Sequence, residues 1–442
     1  MQLERSFAVF LACAASAMMG CSGGGETGSG GGSSTGTTTT TTTPEDAAQY
    51  YRDAKPILDA KCTSCHYDGG IGPFSLTDYA SSKAVLGLLK DNVVSKTMPP
   101  WPPNDTCSEY IGDRSLSQDQ IDTLTKWVDG GGIEGDPKDE GKPIPVDMTG
   151  ALSRVDLNMP IPVEYTQKDE PDDYHCFLID WPYDTVKFVS GFGAHPGDAR
   201  VVHHVIAFLV KPSDVATMQA LDDAEPGPGY TCFGSSGIND NEWLGAWAPG
   251  TPGQDFPEGT GIRVEPGSKI ALQIHYNSLT AGPQPDKTSI DFKVDDTVEK
   301  EGFIQPWTNP QWLDSKLMSI PAGEADVEHH FAYDPTGFLN GGKPITVYSA
   351  GLHMHTLGTS ATLRIDRADK SQDCMLQIDD WNFHWQGNYG FSQPKTLNPG
   401  DKLYLSCHWD NTAAHQSGAP KDTWWGEGTG DEMCLGTFYW TP

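Results

Sequence analysis

The chain has 442 residues, a formal net charge of −31 and a pI near 4.5. This acidity excludes nucleic acids and anionic membrane surfaces as partners, because both repel a polyanion. At one domain per ~150 residues, the length predicts about three domains.

Residues 1–21 have the pattern of a lipoprotein-type export signal. Arg5 precedes an apolar stretch over residues 7–19, which is too short to span a bilayer, and Cys21 follows Gly20. We therefore predict export to the bacterial periplasm or cell surface, with outer-membrane anchoring by a lipid on Cys21 as the only link to the membrane. Plain secretion and cleavage near Cys13 are the alternatives.

Residues 22–45 form a Gly/Ser/Thr-rich stretch that ends in seven consecutive Thr before Pro44. The stretch has no apolar side chains to bury, and we predict a disordered linker.

The next signal is Cys62-x-x-Cys65-His66, the attachment sequence of a c-type haem. Its two thiols would hold the haem and His66 would be an axial ligand of the iron. A CxxC pair also occurs in redox disulfides and zinc sites, but no second CxxC follows here. Met98 is the only Met between His66 and Lys142, which predicts it as the sixth iron ligand.

A helix is predicted over residues 117–128. Ser117 is a suitable N-cap, apolar residues follow at helical spacing, and a Gly run comes after the segment. The helix resembles the closing helix of a small class I cytochrome c. We therefore predict an all-α cytochrome c domain over residues 46–140.

After Lys142, short β-branched or aromatic runs alternate with Gly, Pro, Asn and Asp, which predicts a mainly β fold. Soft-metal ligands recur in this part of the chain. They are His203 and His204 in one strand-like run, His275 in a second, His353 and His355 in a third, and Met433 in the run Asp431-Glu432-Met433-Cys434.

The spacing of these ligands predicts how they are arranged. Residues two apart on a strand share a face, so His353 and His355 can bind one metal while Met354 points away. His203 and His204 can bind one ion together only at a bulge or a strand end. Three protein ligands leave a coordination position open, and a thioether beside two imidazoles favours copper.

A single histidine in a strand is more often a core residue than a ligand. We predict a structural or surface role for the remaining histidines; the alternative is a contact with a metal ligand. They are His175, His195, His329, His330, His384, His408 and His415.

The ordered series HH, LQxHY, HxH and DEMC resembles the ascorbate-dependent type II copper monooxygenases, over roughly residues 145–442. The family includes peptidylglycine α-hydroxylating monooxygenase and dopamine β-monooxygenase. The resemblance implies that His203, His204 and His275 hold the copper that relays an electron. It likewise implies that His353, His355 and Met433 hold the copper that binds dioxygen and are the catalytic residues.

The resemblance also implies two antiparallel jelly-roll-type β-sandwich domains, residues 145–298 and residues 299–442, each with one copper. It pairs Cys176 with Cys232 and Cys407 with Cys434. It leaves Cys107 and Cys374, for which the sequence does not decide between a bond and free thiols.

The resemblance does not extend to the residues that bind the substrate. Peptidylglycine enzymes hold the peptide carboxylate with an Arg before HxH and an Asn and a Tyr after DEMC, and Gly351, Leu435 and Thr437 occupy these positions here. Gln273 is kept. Without a cation the carboxylate has no charged partner, so we predict a neutral small-molecule substrate.

The resemblance thus implies a monooxygenase with two copper ions and one c-type haem that hydroxylates an aliphatic C–H with dioxygen. Electrons would come from ascorbate, from an electron-donor cytochrome or through the fused haem domain. The alternative is a non-enzymatic copper-binding or electron-transfer lipoprotein with the same fold.

Overall fold

The structure is a computed structural model that describes residues 47–68, 70, 72–146, 151–238, 242–249, 253–279, 281–313, 316–416 and 418–442. The predicted signal at 1–21, the lipidation site Cys21 and the linker at 22–45 lie outside the described residues. Within the described part of the chain, no helix combines the length and the apolar character needed to cross a bilayer.

The region 47–146, which we call the helical module, consists of helices and turns. Ser117 and Gln120 form a capping box at the start of its last helix, so the helix predicted at 117–128 is confirmed. Trp127 on this helix is fully buried, with its ring 5.7 Å from that of Tyr50. The elements are a π-helical turn Tyr50–Ala54, α1 Lys55–Lys61, α2 Tyr79–Ala84, α3 Leu86–Val94, α4 Gln118–Asp129 and a 3-10 turn Pro137–Asp139.

The rest of the described chain is mainly β, as the sequence predicts, with three short helices. The strands are β1 Leu157–Pro160, β2 Tyr165–Thr166, β3 Asp172–Asp180, β4 Lys187–His195, β5 Val202–Val210, β6 Tyr230–Thr231, β7 Glu242–Trp247, β8 Gln254–Asp255, β9 Thr260–Val264, β10 Lys269–Asn277, β11 Pro285–Asp286, β12 Ser289–Asp295, β13 Lys300–Glu301, β14 Phe303–Trp307, β15 Val327–Tyr333, β16 Ile345–His353, β17 Gly358–Asp366, β18 Gln372–Ile378, β19 Asn388–Leu397, β20 Lys402–Trp409 and β21 Leu435–Thr441. The helices are α5 Val215–Ala224, α6 Pro310–Leu313 and α7 Thr336–Asn340.

One nine-stranded sheet runs through both halves of this β region, in the order β19-β16-β21-β14-β7-β5-β10-β3-β6 among the described residues. A six-stranded sheet around β12, β4 and β9 packs on its first half, and the sheet β15-β20-β17-β18 packs on its second half. We call these layers the first and second sandwich. The two join in the shared sheet, where Ile304 of β14 pairs with Trp243 of β7. Jelly-roll topology stays a prediction.

A strap of the helical module, residues 103–111, lies along the second sandwich. Pro103 forms a bridge with Ile378 of β18, and Tyr110 forms one with Phe391 of β19. Cys107 and Cys374, which the sequence left open, form a disulfide across this contact. The module is therefore covalently attached to the second sandwich.

Removing this disulfide should destabilise the protein. Cys107 and Cys374 are 267 residues apart, and closing so long a loop restricts the unfolded chain. We expect the double variant Cys107→Ser/Cys374→Ser to lose about 2–4 kcal/mol of unfolding free energy in urea titrations. The double variant avoids a lone thiol. An unchanged urea midpoint would show that the backbone contacts of the strap alone carry the attachment.

Candidate metal centre

The first ligand group lies where β5 pairs with β10. His275 is opposite His204, whereas Tyr276 is opposite Val202, so His203 is an extra residue in a β-bulge. This is the irregularity that the adjacent pair requires if both rings are to reach one ion.

The three imidazoles of this group converge through their Nδ1 atoms. The distances are 3.4 Å from His203 to His204 and 3.3 Å from His204 to His275. Three nitrogens bound at about 2 Å to one ion would lie about 3.3–3.5 Å apart, so the spacing fits a single metal. His203 Nε2 is buried and finds no hydrogen-bond partner among the described residues.

Asp172 and Tyr174 of β3 orient His275. The Nε2 atom of His275 donates to Asp172 Oδ1 at 2.9 Å, which turns Nδ1 toward the other two rings. Tyr174 stacks on the same imidazole with ring centroids 4.0 Å apart. Burial alone would raise the pKa of Asp172, but hydrogen bonds from His275 and Thr429 lower it to about 2. A carboxylate therefore faces His275 at any physiological pH.

Burial also keeps the first group uncharged. It lowers the pKa of His203 to about 2, and it lowers the pKa values of His204 and His275 below the usual range. A neutral imidazole is the form that binds a metal, so the three imidazoles of this group can bind a metal ion at neutral pH.

The second ligand group lies at the end of β16. His353 is the last residue of that strand and pairs with Leu435, two residues after Met433. The rings of His353 and His355 are 5.1 Å apart, and Met354 between them is fully buried in the core. The strand predicted for all three ends at His353, so Met354 and His355 follow it.

Both imidazoles of this group are held through Nδ1, which leaves Nε2 for a metal. His353 Nδ1 is hydrogen-bonded to Gln386 Oε1, and His355 Nδ1 donates to the Asp431 carbonyl at 3.1 Å. Burial lowers the pKa of His353 to about 4 and that of His355 to about 3.

Glu432 fixes the backbone around this group. Its buried carboxyl accepts from the backbone N–H groups of His355 and Leu357, at 3.0 and 2.6 Å, and from Trp409 Nε1 at 2.8 Å. Burial raises the pKa of Glu432 to about 7, although these hydrogen bonds oppose the shift. The structure also forms both implied disulfides, Cys176–Cys232 and Cys407–Cys434.

The two groups face each other across one cavity of about 840 Å³. Five of the six predicted ligands line this cavity, and His275 does not. The rings of His204 and His353 are 6.2 Å apart. Phe383 stacks on His203 at 4.6 Å, and His384, expected to be structural, lies 6.4 Å from the same ring.

Most other histidines have partners of their own, as their predicted structural role requires. His175 Nε2 donates to the Pro228 carbonyl, and His329 Nε2 donates to the Ser319 carbonyl, both at 2.8 Å. Two more pair with acidic residues, His195 with Asp291 and His408 with Asp326.

Comparison with known proteins gives a family for the region that holds the second group. Residues 314–442 match the C-terminal domain of copper type II ascorbate-dependent monooxygenases. That range contains His353, His355 and Met433.

Sequence relatives extend this similarity over more of the chain. The chain is 23% identical over 263 residues to DBH-like monooxygenase protein 1 of Gallus gallus, covering 55% of this chain and 39% of the relative. It is 25% identical over 403 residues to DBH-like monooxygenase protein 2 of Mus musculus, covering 83% and 60%. With dopamine beta-hydroxylase of Homo sapiens it is 23% identical over 294 residues, covering 61% and 43%. The chain thus spans less than two thirds of each relative.

These comparisons show that the C-terminal part of the chain is similar to a family of copper monooxygenases. The residues also fit copper, because three convergent imidazoles suit it in both oxidation states and Met433 adds a thioether beside two imidazoles. Sequence reasoning did not find Asp172, Tyr174, Gln386 or Phe383. No local motif marks them, and only strand pairing and loop packing bring them to the ligands.

The haem motif lies in the turn after α1. His66 N–H donates to the Cys62 carbonyl at 2.9 Å, and both Cys62 and Cys65 are free thiols. His66 Nδ1 donates to the Phe74 carbonyl at 3.0 Å, which leaves Nε2 for an iron. This donor set fits covalent haem attachment. Met98 lies in the segment that leads from α3 into the strap.

Proposed function

We propose that this protein is a copper-dependent monooxygenase that hydroxylates an aliphatic C–H of a neutral small molecule with dioxygen. The observation that carries the proposal is that a cluster of three imidazoles faces a second group of two imidazoles and a thioether across one cavity. An electron-transfer carrier has no need for two open ligand sets beside a cavity of this size.

Each group has a separate role in this proposal. His203, His204 and His275 hold the copper that relays an electron, and His353, His355 and Met433 hold the copper at which dioxygen reacts. Copper supplies the one-electron chemistry and dioxygen activation that side chains lack. The reaction consumes two electrons and two protons; one oxygen atom ends in the alcohol and the other in water.

The wall of the cavity supports a neutral substrate. Among the described residues, no lysine or arginine lines it, and one of its two acidic residues, Glu242, is paired with Lys211. Gly351 and Thr437, where peptide-amidating relatives carry carboxylate-binding side chains, are opposite each other in the β16–β21 ladder. Burial raises the pKa of Glu427, an acidic residue of the wall, to about 7, so this carboxyl can be uncharged near neutrality.

We further propose that Cys62 and Cys65 hold a c-type haem with His66 and Met98 as axial ligands. Electrons would reach copper from ascorbate or through this module, which the Cys107–Cys374 bond keeps attached to the second sandwich. Export and a lipid on Cys21 complete the proposal, and three disulfides among the described residues are compatible with an oxidising compartment.

The test is to measure metal content and oxygen uptake of the purified protein, with ascorbate or a reduced cytochrome as donor. We expect two coppers and one haem per chain, and oxygen uptake that a copper chelator abolishes. His330→Ala, which removes an exposed histidine outside the cavity, is the matched control for His204→Ala. Zinc, a single copper, or uptake that survives His204→Ala would reject the proposal.

A further inference from the structure

The segment before Met433 belongs to the second sandwich but is held by the first. We call residues 427–431 the latch segment. The hydroxyl of Thr429 donates to Asp172 Oδ1 at 2.8 Å. The hydroxyl of Tyr174 donates to the backbone carbonyl of the first residue of the segment, also at 2.8 Å. Two side chains of β3 thus hold a loop that leads to a proposed copper ligand.

The same two side chains also hold His275. The oxygen of Asp172 that accepts from Thr429 also accepts from His275 Nε2, at 2.9 Å, and from Asn277 Nδ2, at 2.9 Å. Tyr174 covers the imidazole of His275 with nearly parallel rings, at an interplanar angle of 7°. Any movement of the latch segment therefore acts on the partners that orient a ligand of the first group.

The other end of the latch segment reaches the second group. The carbonyl of Asp431 accepts from His355 Nδ1, and Met433 follows two residues later. Within the segment, the Asp431 N–H donates to the Gly428 carbonyl at 2.8 Å, which joins its last residue to its second. A shift at Thr429 would consequently be passed on to His355 and Met433.

We propose that Asp172 and Tyr174 are positioning residues for the second copper as well as the first. Through the latch segment, they couple the placement of His355 and Met433 to that of His275. This inference rests on the proposed function, because it assumes that each group holds copper. It also assigns a purpose to the cross-sandwich hydrogen bonds, which keep the two groups on opposite walls of one cavity.

Two conservative variants each remove one hydrogen bond between β3 and the latch segment. Thr429→Val keeps the side-chain shape but removes the donor to Asp172, and Tyr174→Phe keeps the ring over His275 but removes the donor to the latch segment. Thr429→Ser keeps the hydroxyl and is the matched control. Changes to groups that support metal ligands typically cost 10–100-fold in affinity, and we expect about 10-fold here because the link is indirect.

The experiment has two readouts. In the metal-free protein, amides of the latch segment should exchange with solvent about tenfold faster in Thr429→Val and Tyr174→Phe than in wild type and Thr429→Ser. In Cu(I) titrations, the copper of the second group is identified by the sulfur contribution to its X-ray absorption. Its dissociation constant should rise about tenfold in the same two variants. The affinity of the all-imidazole copper should change less, because Asp172 and the Tyr174 ring still contact His275 directly in both variants.

The outcomes separate this inference from the proposed function. A wild-type protein that binds fewer than two coppers rejects the function and the inference together. Two coppers, with second-site affinity unchanged in both variants, overturn the inference alone. A Thr429→Ser variant as weak as Thr429→Val would also overturn it, because the hydroxyl would then not be the coupling group.

Discussion

Replacing Met433 by Leu should abolish oxygen uptake while leaving the fold and the first copper in place. Met433 is 6% exposed and lines the cavity beside His353 and His355. Leucine conserves the volume, so the cost in unfolding free energy should stay below about 1.5 kcal/mol. The thioether is the soft donor that favours Cu(I), and its loss should lower the rate at least ~100-fold, since metal activation contributes several kcal/mol to such barriers.

The measurement is oxygen uptake under saturating ascorbate, together with X-ray absorption of the Cu(I)-loaded protein. The sulfur contribution should vanish in Met433→Leu and remain in Met354→Leu, whose side chain lies in the core between the same two histidines. If Met433→Leu retained wild-type uptake, the second group would not be where dioxygen reacts. If Met354→Leu lost uptake equally, packing rather than ligation would explain both results.

The ligand arrangement follows from sequence wherever it depends on local strand geometry. Strand alternation predicts that His353 and Met354 face opposite sides, as they do at the end of β16. The adjacency of His203 and His204 predicts a bulge or a strand end, and β5 contains the bulge. Such features need only the period of a strand. The mainly β fold follows from the same local patterns.

The arrangement between elements could not be predicted, because it depends on which strands pair. Asp172 reaches His275 only because β3 lies beside β10 in the sheet, and His204 comes near His353 only within a sheet that both sandwiches share. The Cys107–Cys374 bond likewise requires the strap to lie along β18. The spacing of residues along the sequence does not show which distant strands pair.

The metal-free protein should lose stability as the pH falls from 7 to 5. Imidazoles of an unfolded chain take up protons near pH 6.5. In the folded protein, burial lowers the pKa of His203 to about 2, of His355 to about 3 and of His353 to about 4, and lowers those of His204 and His275 in the same direction. Between pH 7 and 5 the unfolded state therefore binds more protons, and the free energy of unfolding falls with the pH.

Two carboxyl groups act in the opposite direction. The raised pKa values of Glu427 and Glu432, about 7 each, mean that the folded protein takes up protons there before the unfolded chain does, which favours folding as the pH falls. Each of His203, His355 and His353 costs roughly 2 kcal/mol by pH 5, and each glutamate returns a similar amount. Three histidines thus outweigh two glutamates by roughly 2 kcal/mol, and the lowered pKa values of His204 and His275 add to the loss in the same direction.

Urea unfolding of the metal-free protein at pH 7 and pH 5 measures this difference, and His203→Gln/His204→Gln is the variant that tests its origin. Glutamine does not titrate, so the variant should reduce the acid-induced loss by the roughly 2 kcal/mol of His203 and by a further amount from His204. His415→Gln, which changes an exposed histidine outside the cluster, is the matched control. A wild-type midpoint that stays constant or rises toward pH 5 would mean that the buried imidazoles are protonated in the folded protein. Because a charged imidazole cannot bind a metal, that result would also predict copper binding that weakens steeply below pH 7.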